Sequence, residues 1–131
     1  MLRWVAVLLF FASTTAHAQT ALERIEPRLA RALAEHQVFL TCSSLDAQNH
    51  ALVRKGWEDM VAAARLYLIG HYIPLADLAA FDSRTAVSAL LRSDQSLKAA
   101  IEMCTGDHRD WAQRYARFLW TSEISERPLP N

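Results

Sequence analysis

Glycine, proline and cysteine are scarce in this chain: three, four and two of them in 131 residues. Three glycines are too few for the closely spaced turns of a β-sandwich or barrel, so helices joined by a few loops are expected. Neither sign of charge is in excess, with 14 basic and 14 acidic residues. A surface without a cationic surplus has no electrostatic hold on a phosphate backbone, and nucleic-acid binding is not expected. No apolar run approaches the roughly 20 residues of a membrane-spanning helix. The motifs C-x-x-C-H, C-x-x-C, H-E-x-x-H and G-x-S-x-G are all missing, as is a glycine-rich phosphate loop. Haem attachment, dithiol redox chemistry, zinc proteolysis and serine hydrolysis therefore have no motif to rest on, and a protein without catalytic activity or cofactor is expected.

What is present begins with the N-terminus, MLRWVAVLLFFASTTAHAQT. A basic Arg3, an unbroken apolar run over residues 4–12 and the small-x-small triplet Ala16-His17-Ala18 form a secretory signal peptide, with cleavage expected between Ala18 and Gln19. A buried amphipathic helix would carry polar residues at a period of 3.6, and this run has none. No cysteine stands at the cleavage point to be acylated. The mature product is then a soluble exported or periplasmic chain without a transmembrane anchor, one charge below neutrality once Arg3 is removed.

Both cysteines, Cys42 and Cys104, survive cleavage. An even count in a small exported chain argues for a disulfide. A catalytic thiol needs an electropositive setting, and residues 39–45 (FLTCSSL) contain no charge. A zinc site needs three or four ligands in close pairs, and neither cysteine has a second one nearby. The staple is the preferred reading over nucleophile or metal ligand, and a loop of this length gives about 4 kcal/mol in the chain-entropy model.

The periodicity of the mature chain is helical, and strand signals are nearly absent. Thr20 and Glu23 have capping-box spacing; Leu22, Ile25, Leu29, Leu33 and Leu40 then recur every three to four residues, with Pro27 expected to kink or to begin this helix. Asp46 is the expected N-cap of a second helix, where Val53, Trp57, Val61, Ala64 and Leu68 line one face, widened by Met60 and Tyr67. Gly70 is placed as its C-cap, and Pro74 is expected to stop or restart the helix. A short turn over residues 75–81 is expected, then a segment capped by Asp82 or Ser83. Ser93 is placed as the cap of a helix on which Leu97, Ile101 and Cys104 share a face, ended by Gly106. Asp107 is the expected start of a last helix bearing Trp111, Tyr115, Phe118 and Leu119 on one side. The expected fold is an all-α bundle of four to five helices with one disulfide: a single domain over residues 19–124 and a frayed tail over 125–131.

Few side chains suggest chemistry. His36, His50, His71 and His108 are scattered, and such histidines are more often surface or core-edge residues than ligands. His50 and His71 are the candidate metal pair, although they fall near opposite ends of one helix. Glu58 and Asp59 are adjacent, about 100° apart around a helix, and cannot flank a bond as an acid/base pair. Asp107, His108, Arg109 and Asp110 read as a helix start suited to the dipole rather than as a catalytic cluster. Trp57, Trp111 and Tyr115 fall on apolar stripes and read as core; Trp120 lies one residue beyond its stripe.

Thr41-Cys42, and Met103-Cys104-Thr105-Gly106-Asp107 around the second cysteine, resemble the HdeA/HdeB-type periplasmic acid chaperones, small helical domains made with a cleaved signal peptide and stapled by one disulfide. The resemblance implies an acid-triggered holdase without an active site, whose clients are unfolded periplasmic proteins. Three functions are thus carried forward: an exported helical module that binds a protein partner of the cell envelope, an acid-stress holdase, and a metal- or small-ligand-binding protein.

Overall fold

The computed structural model describes residues 19–92 and 94–121. They form six helices: α1 (Ala21–Ser43), α2 (Ala47–Gly70), α3 (Leu75–Thr85), α4 (Val87–Leu90), α5 (Leu97–Thr105) and α6 (Trp111–Thr121). The all-α class and the Cys42–Cys104 disulfide match expectation. The signal peptide, the Ser93 cap, the side chains of Leu119 and Trp120, and the tail lie outside the described residues.

Local chemistry explains the helix starts. The Thr20 hydroxyl accepts from the Glu23 N–H at 3.1 Å, and Asp46 accepts from the Gln48 N–H at 3.1 Å, each satisfying a donor that has no partner within the helix. Pro27 neither begins nor ends α1; it sits inside a continuous helix. Its ring is exposed, so water can reach the carbonyl that loses its amide partner.

The segment after Pro74 departs from expectation. Instead of a turn and a helix capped by Asp82 or Ser83, α3 runs straight through both, because Leu78 and Phe81, three residues apart, are buried in the core and hold this stretch helical. Asp82 reaches across to Arg65 of α2 instead, at 3.0 Å. The chain breaks at Ala86 (ψ 137°) before the single turn of α4. The helix count is therefore six among the described residues rather than four to five. Ser96 caps α5 through the Ala99 N–H. On α5 the buried residues are Ala100 and Cys104, whereas Leu97 and Ile101 are exposed, since α5 packs chiefly against α1, at the disulfide. Asp107 does not start α6: residues 106–110 form turns, and the helix begins at Trp111. Gly106 ends α5 as expected. A Cβ there would lie 2.8 Å from the Glu102 carbonyl oxygen, so the close approach demands glycine.

α1 is the element shared by the rest: α2, α4, α5 and α6 all pack against it, while α3 packs chiefly against α2 and α4. Ile25, Leu29, Ala32, His36, Phe39 and Leu40 of α1 face Val53, Trp57, Met60, Ala64 and Leu68 of α2, and Phe81, Leu90 and Phe118 close the cluster. The indole N–H of Trp57 donates to the Thr85 carbonyl at 2.8 Å, satisfying an acceptor at the end of α3.

Candidate interaction site

The four histidines among the described residues occupy four separate settings. His50 Nδ1 lies 3.1 Å from the Ser43 hydroxyl. His71 donates from Nδ1 to the Tyr67 carbonyl at 2.8 Å, with its ring against that tyrosine. His108 Nδ1 accepts from Arg114 Nη2 at 3.2 Å. The rise of α2 puts His50 and His71 about 30 Å apart, so the candidate metal pair does not come together. Among the described residues no three His, Cys, Asp or Glu side chains converge as ligands. Glu58 and Asp59 are exposed and engaged by Arg54 and Lys55 one turn earlier.

His36 is the exception that sequence reading passes over. It is fully buried, caged by Trp57, Phe118, Phe39 and Tyr115 with ring centroids 4.5–6.4 Å away. Its Nδ1–H donates to the Ala32 carbonyl at 2.8 Å, which leaves Nε2 as a buried acceptor without a partner. Burial outweighs that hydrogen bond and lowers its pKa to about 4. Its spacing on the apolar stripe of α1, seven residues after Leu29 and four before Leu40, is the signal that could have found it.

The second unusual feature is the corner between α2 and α3. Leu66 (71% exposed), Ile69, Tyr72 (93%) and Leu75 (83%) leave four large apolar side chains in water within ten residues of chain. The backbone explains how they are held. Gly70 is the last residue of α2, and His71, rather than Gly70, is the C-cap. The Tyr72 N–H bonds to the Ile69 carbonyl at 3.1 Å and the Ile73 N–H to the Leu68 carbonyl at 3.2 Å, which is a Schellman closure. That closure requires a left-handed residue, and Tyr72 occupies it at φ 57°. An L-residue with a Cβ is disfavoured there by roughly 1–2 kcal/mol. A glycine two positions earlier does not relieve it.

A groove of about 470 Å³ runs between α2 and the α3–α4 break, over Trp57 and between Val61, Ala86 and Val87. The Arg54–Glu58 and Arg65–Asp82 pairs border it, so its charged groups are already matched. It is the place where the small-ligand alternative finds room.

No family model, curated protein or solved structure matches this chain.

Proposed function

We propose that the chain is an exported helical module that binds a protein partner of the cell envelope without catalysis, and that the α2–α3 corner is its contact face. The observation that carries this reading is the exposed quartet Leu66, Ile69, Tyr72 and Leu75, with Tyr72 held in a disfavoured backbone conformation. Large apolar side chains left in water close together along the chain of a small domain suggest a contact surface, and a strained, exposed residue is more often kept for function than for stability. The disulfide supports export, since such bonds persist in oxidising compartments. The proposed mature chain starts at Gln19.

The test compares three forms of the mature protein as bait in envelope extract. A partner retained by wild type and by Leu52→Ser, but lost from Leu66→Ser/Tyr72→Ser/Leu75→Ser, is the expected result; retention by the triple variant contradicts the assignment. Tyr72→Asn sharpens it. Asparagine tolerates the left-handed position, so the variant should match or exceed wild-type stability by up to about 1 kcal/mol while binding the partner more weakly. Thermal unfolding and partner titration check the two halves separately.

His36 favours a second reading, the acid-triggered holdase. Its folded pKa is about 4, against an unfolded value near 6.5. Above pH 6.5 both states are neutral and its contribution to stability is whole. As pH falls from 6.5 toward 4, the unfolded chain binds a proton that the folded chain refuses, and about 3 kcal/mol is lost once pH drops below 4. Glu26, whose carboxyl is held below its usual range by the Arg84 hydrogen bond, adds a loss at lower pH. Opening under these conditions bares the aromatic cage while the disulfide keeps α1 and α5 tied. His36→Leu should flatten the stability profile between pH 6.5 and 4, as followed by denaturant unfolding at stepped pH. Protection of an aggregating client near pH 2–3 by wild type supports the holdase; no protection at any acidic pH overturns it.

A further inference from the structure

Among the described residues eight large apolar side chains stand in water, and seven of them fall into two groups. Leu66, Ile69, Tyr72 and Leu75 follow one another at three-residue intervals through the α2–α3 corner. Leu45, Leu97 and Ile101 make the second group: Leu45 and Leu97 line one recess, and Ile101 stands one turn beyond Leu97 on α5. α2 holds the groups apart. Leu45 lies two residues before its start and Tyr72 two residues after its end, and its 24 residues span about 36 Å. One copy therefore cannot bring its own corner to its own recess.

The groups differ in shape. Tyr72 and Leu75 are the two most exposed of the eight side chains, and the Schellman closure fixes the backbone at Tyr72. The second group surrounds a recess of about 270 Å³ between α1, the α4–α5 link and α5, lined by Leu45, Leu91, Leu97 and Ala100, with Thr41 and Ser44 on its polar side. That volume is below the roughly 300–1,000 Å³ of small-ligand pockets and suits one large side chain. The Thr41 and Ser44 hydroxyls donate to the Gln37 and Thr41 carbonyls, which leaves their oxygens to accept from an entering donor such as the Tyr72 phenol. Charge matches as well. Asp77, two residues after Leu75, meets no basic side chain among the described residues. Arg92, on the rim of the recess, touches Asp94 only at 3.8 Å, with both side chains largely in water.

We propose that the recess receives the α2–α3 corner of a second copy of this chain, Tyr72 foremost, so that copies join head to tail. The inference rests on the corner being a protein contact and names a second copy as the protein. At about 200 Å² for a large residue fully in water, the corner offers roughly 600 Å² and the recess group roughly 300 Å². Together, roughly 900 Å² is the apolar share of a standard interface of about 1,600 Å². Fixing Tyr72 in one backbone conformation lowers the cost of ordering it on contact. The contact is heterologous: each copy keeps a free corner or a free recess, so association continues to a ring or an open chain. A corner-to-corner contact would instead stop at a dimer.

Sedimentation equilibrium of the purified mature protein, disulfide intact, tests this with two variants. Tyr72→Ser/Leu75→Ser removes the corner, and Leu45→Ser/Leu97→Ser removes the apolar rim of the recess. All four side chains are exposed, and the helicity and unfolding midpoint of each variant guard against loss of fold. Wild type should associate beyond a dimer as concentration rises, and each variant alone about tenfold or more weakly. Mixed, the two variants should form a one-to-one heterodimer and nothing larger, because one intact corner then meets one intact recess. A wild type that stays monomeric up to about 1 mM, or variants that fail to pair on mixing, overturns the head-to-tail assembly. Association undiminished in the recess variant overturns it too, in favour of a corner-to-corner dimer. The corner as a protein contact fails separately, when the triple corner variant retains the partner drawn from envelope extract.

Discussion

Trp57→Ala is expected to lower the unfolding free energy by about 3–5 kcal/mol, the largest effect of any single substitution considered. Trp57 is fully buried on α2 and touches the core contributed by α1 through His36, with ring centroids 4.5 Å apart. Truncation empties the middle of that contact. It also strands the Thr85 carbonyl, which accepts the indole N–H at 2.8 Å; a buried acceptor left unpaired costs about 1–3 kcal/mol. Trp57→Phe separates the two effects, since it keeps most of the ring volume and deletes only the donor. Denaturant unfolding should place Trp57→Phe clearly between wild type and Trp57→Ala. If Trp57→Ala unfolds at the wild-type midpoint, the packing of α2 on α1 described above is wrong.

Replacing both Cys42 and Cys104 by serine is expected to cost about 4 kcal/mol. The bond closes a loop of 62 positions and joins the C-terminal part of α1 to the C-terminal part of α5. α5 is short and packs chiefly against α1, so few other contacts hold it. The loss should be cooperative in the unfolding of the whole domain if α5 belongs to the core, with hydrogen exchange in α5 fastest of the six helices. A double serine variant with wild-type stability would mean that the non-covalent contacts of α5 suffice.

The parts of the fold that sequence makes legible are those governed by local chemistry. Thr20 and Asp46 cap because their side chains reach amides two or three residues ahead, whatever the rest of the chain does. Trp57 reads as core because α2 repeats apolar residues at helical spacing. The region after Pro74 is harder: Leu78 and Phe81 are only two anchors, and their helix is decided by burial against α2 and α4 rather than by propensity. Gly70 misleads for a related reason, since a glycine near a helix end suggests the left-handed position, yet the Schellman closure falls two residues later on Tyr72. The corner itself leaves a trace in sequence. Leu66 lies nine residues after Trp57, half a turn around the helix from the buried stripe, and an apolar residue on the wrong face is the mark of a contact surface. The Glu35–Arg114 pair leaves none, because only the packing of α1 against α6 brings those two residues together.

The central claim is that the α2–α3 corner meets a protein partner, and site-specific photo-crosslinking tests it most directly. A benzophenone amino acid is placed at position 72, at position 75 or, as a control, at the exposed Ala34 of α1, in the full chain expressed in cells. The account predicts one discrete protein adduct from positions 72 and 75 and none from position 34. No adduct at either corner position, or the same adduct from all three, would contradict it.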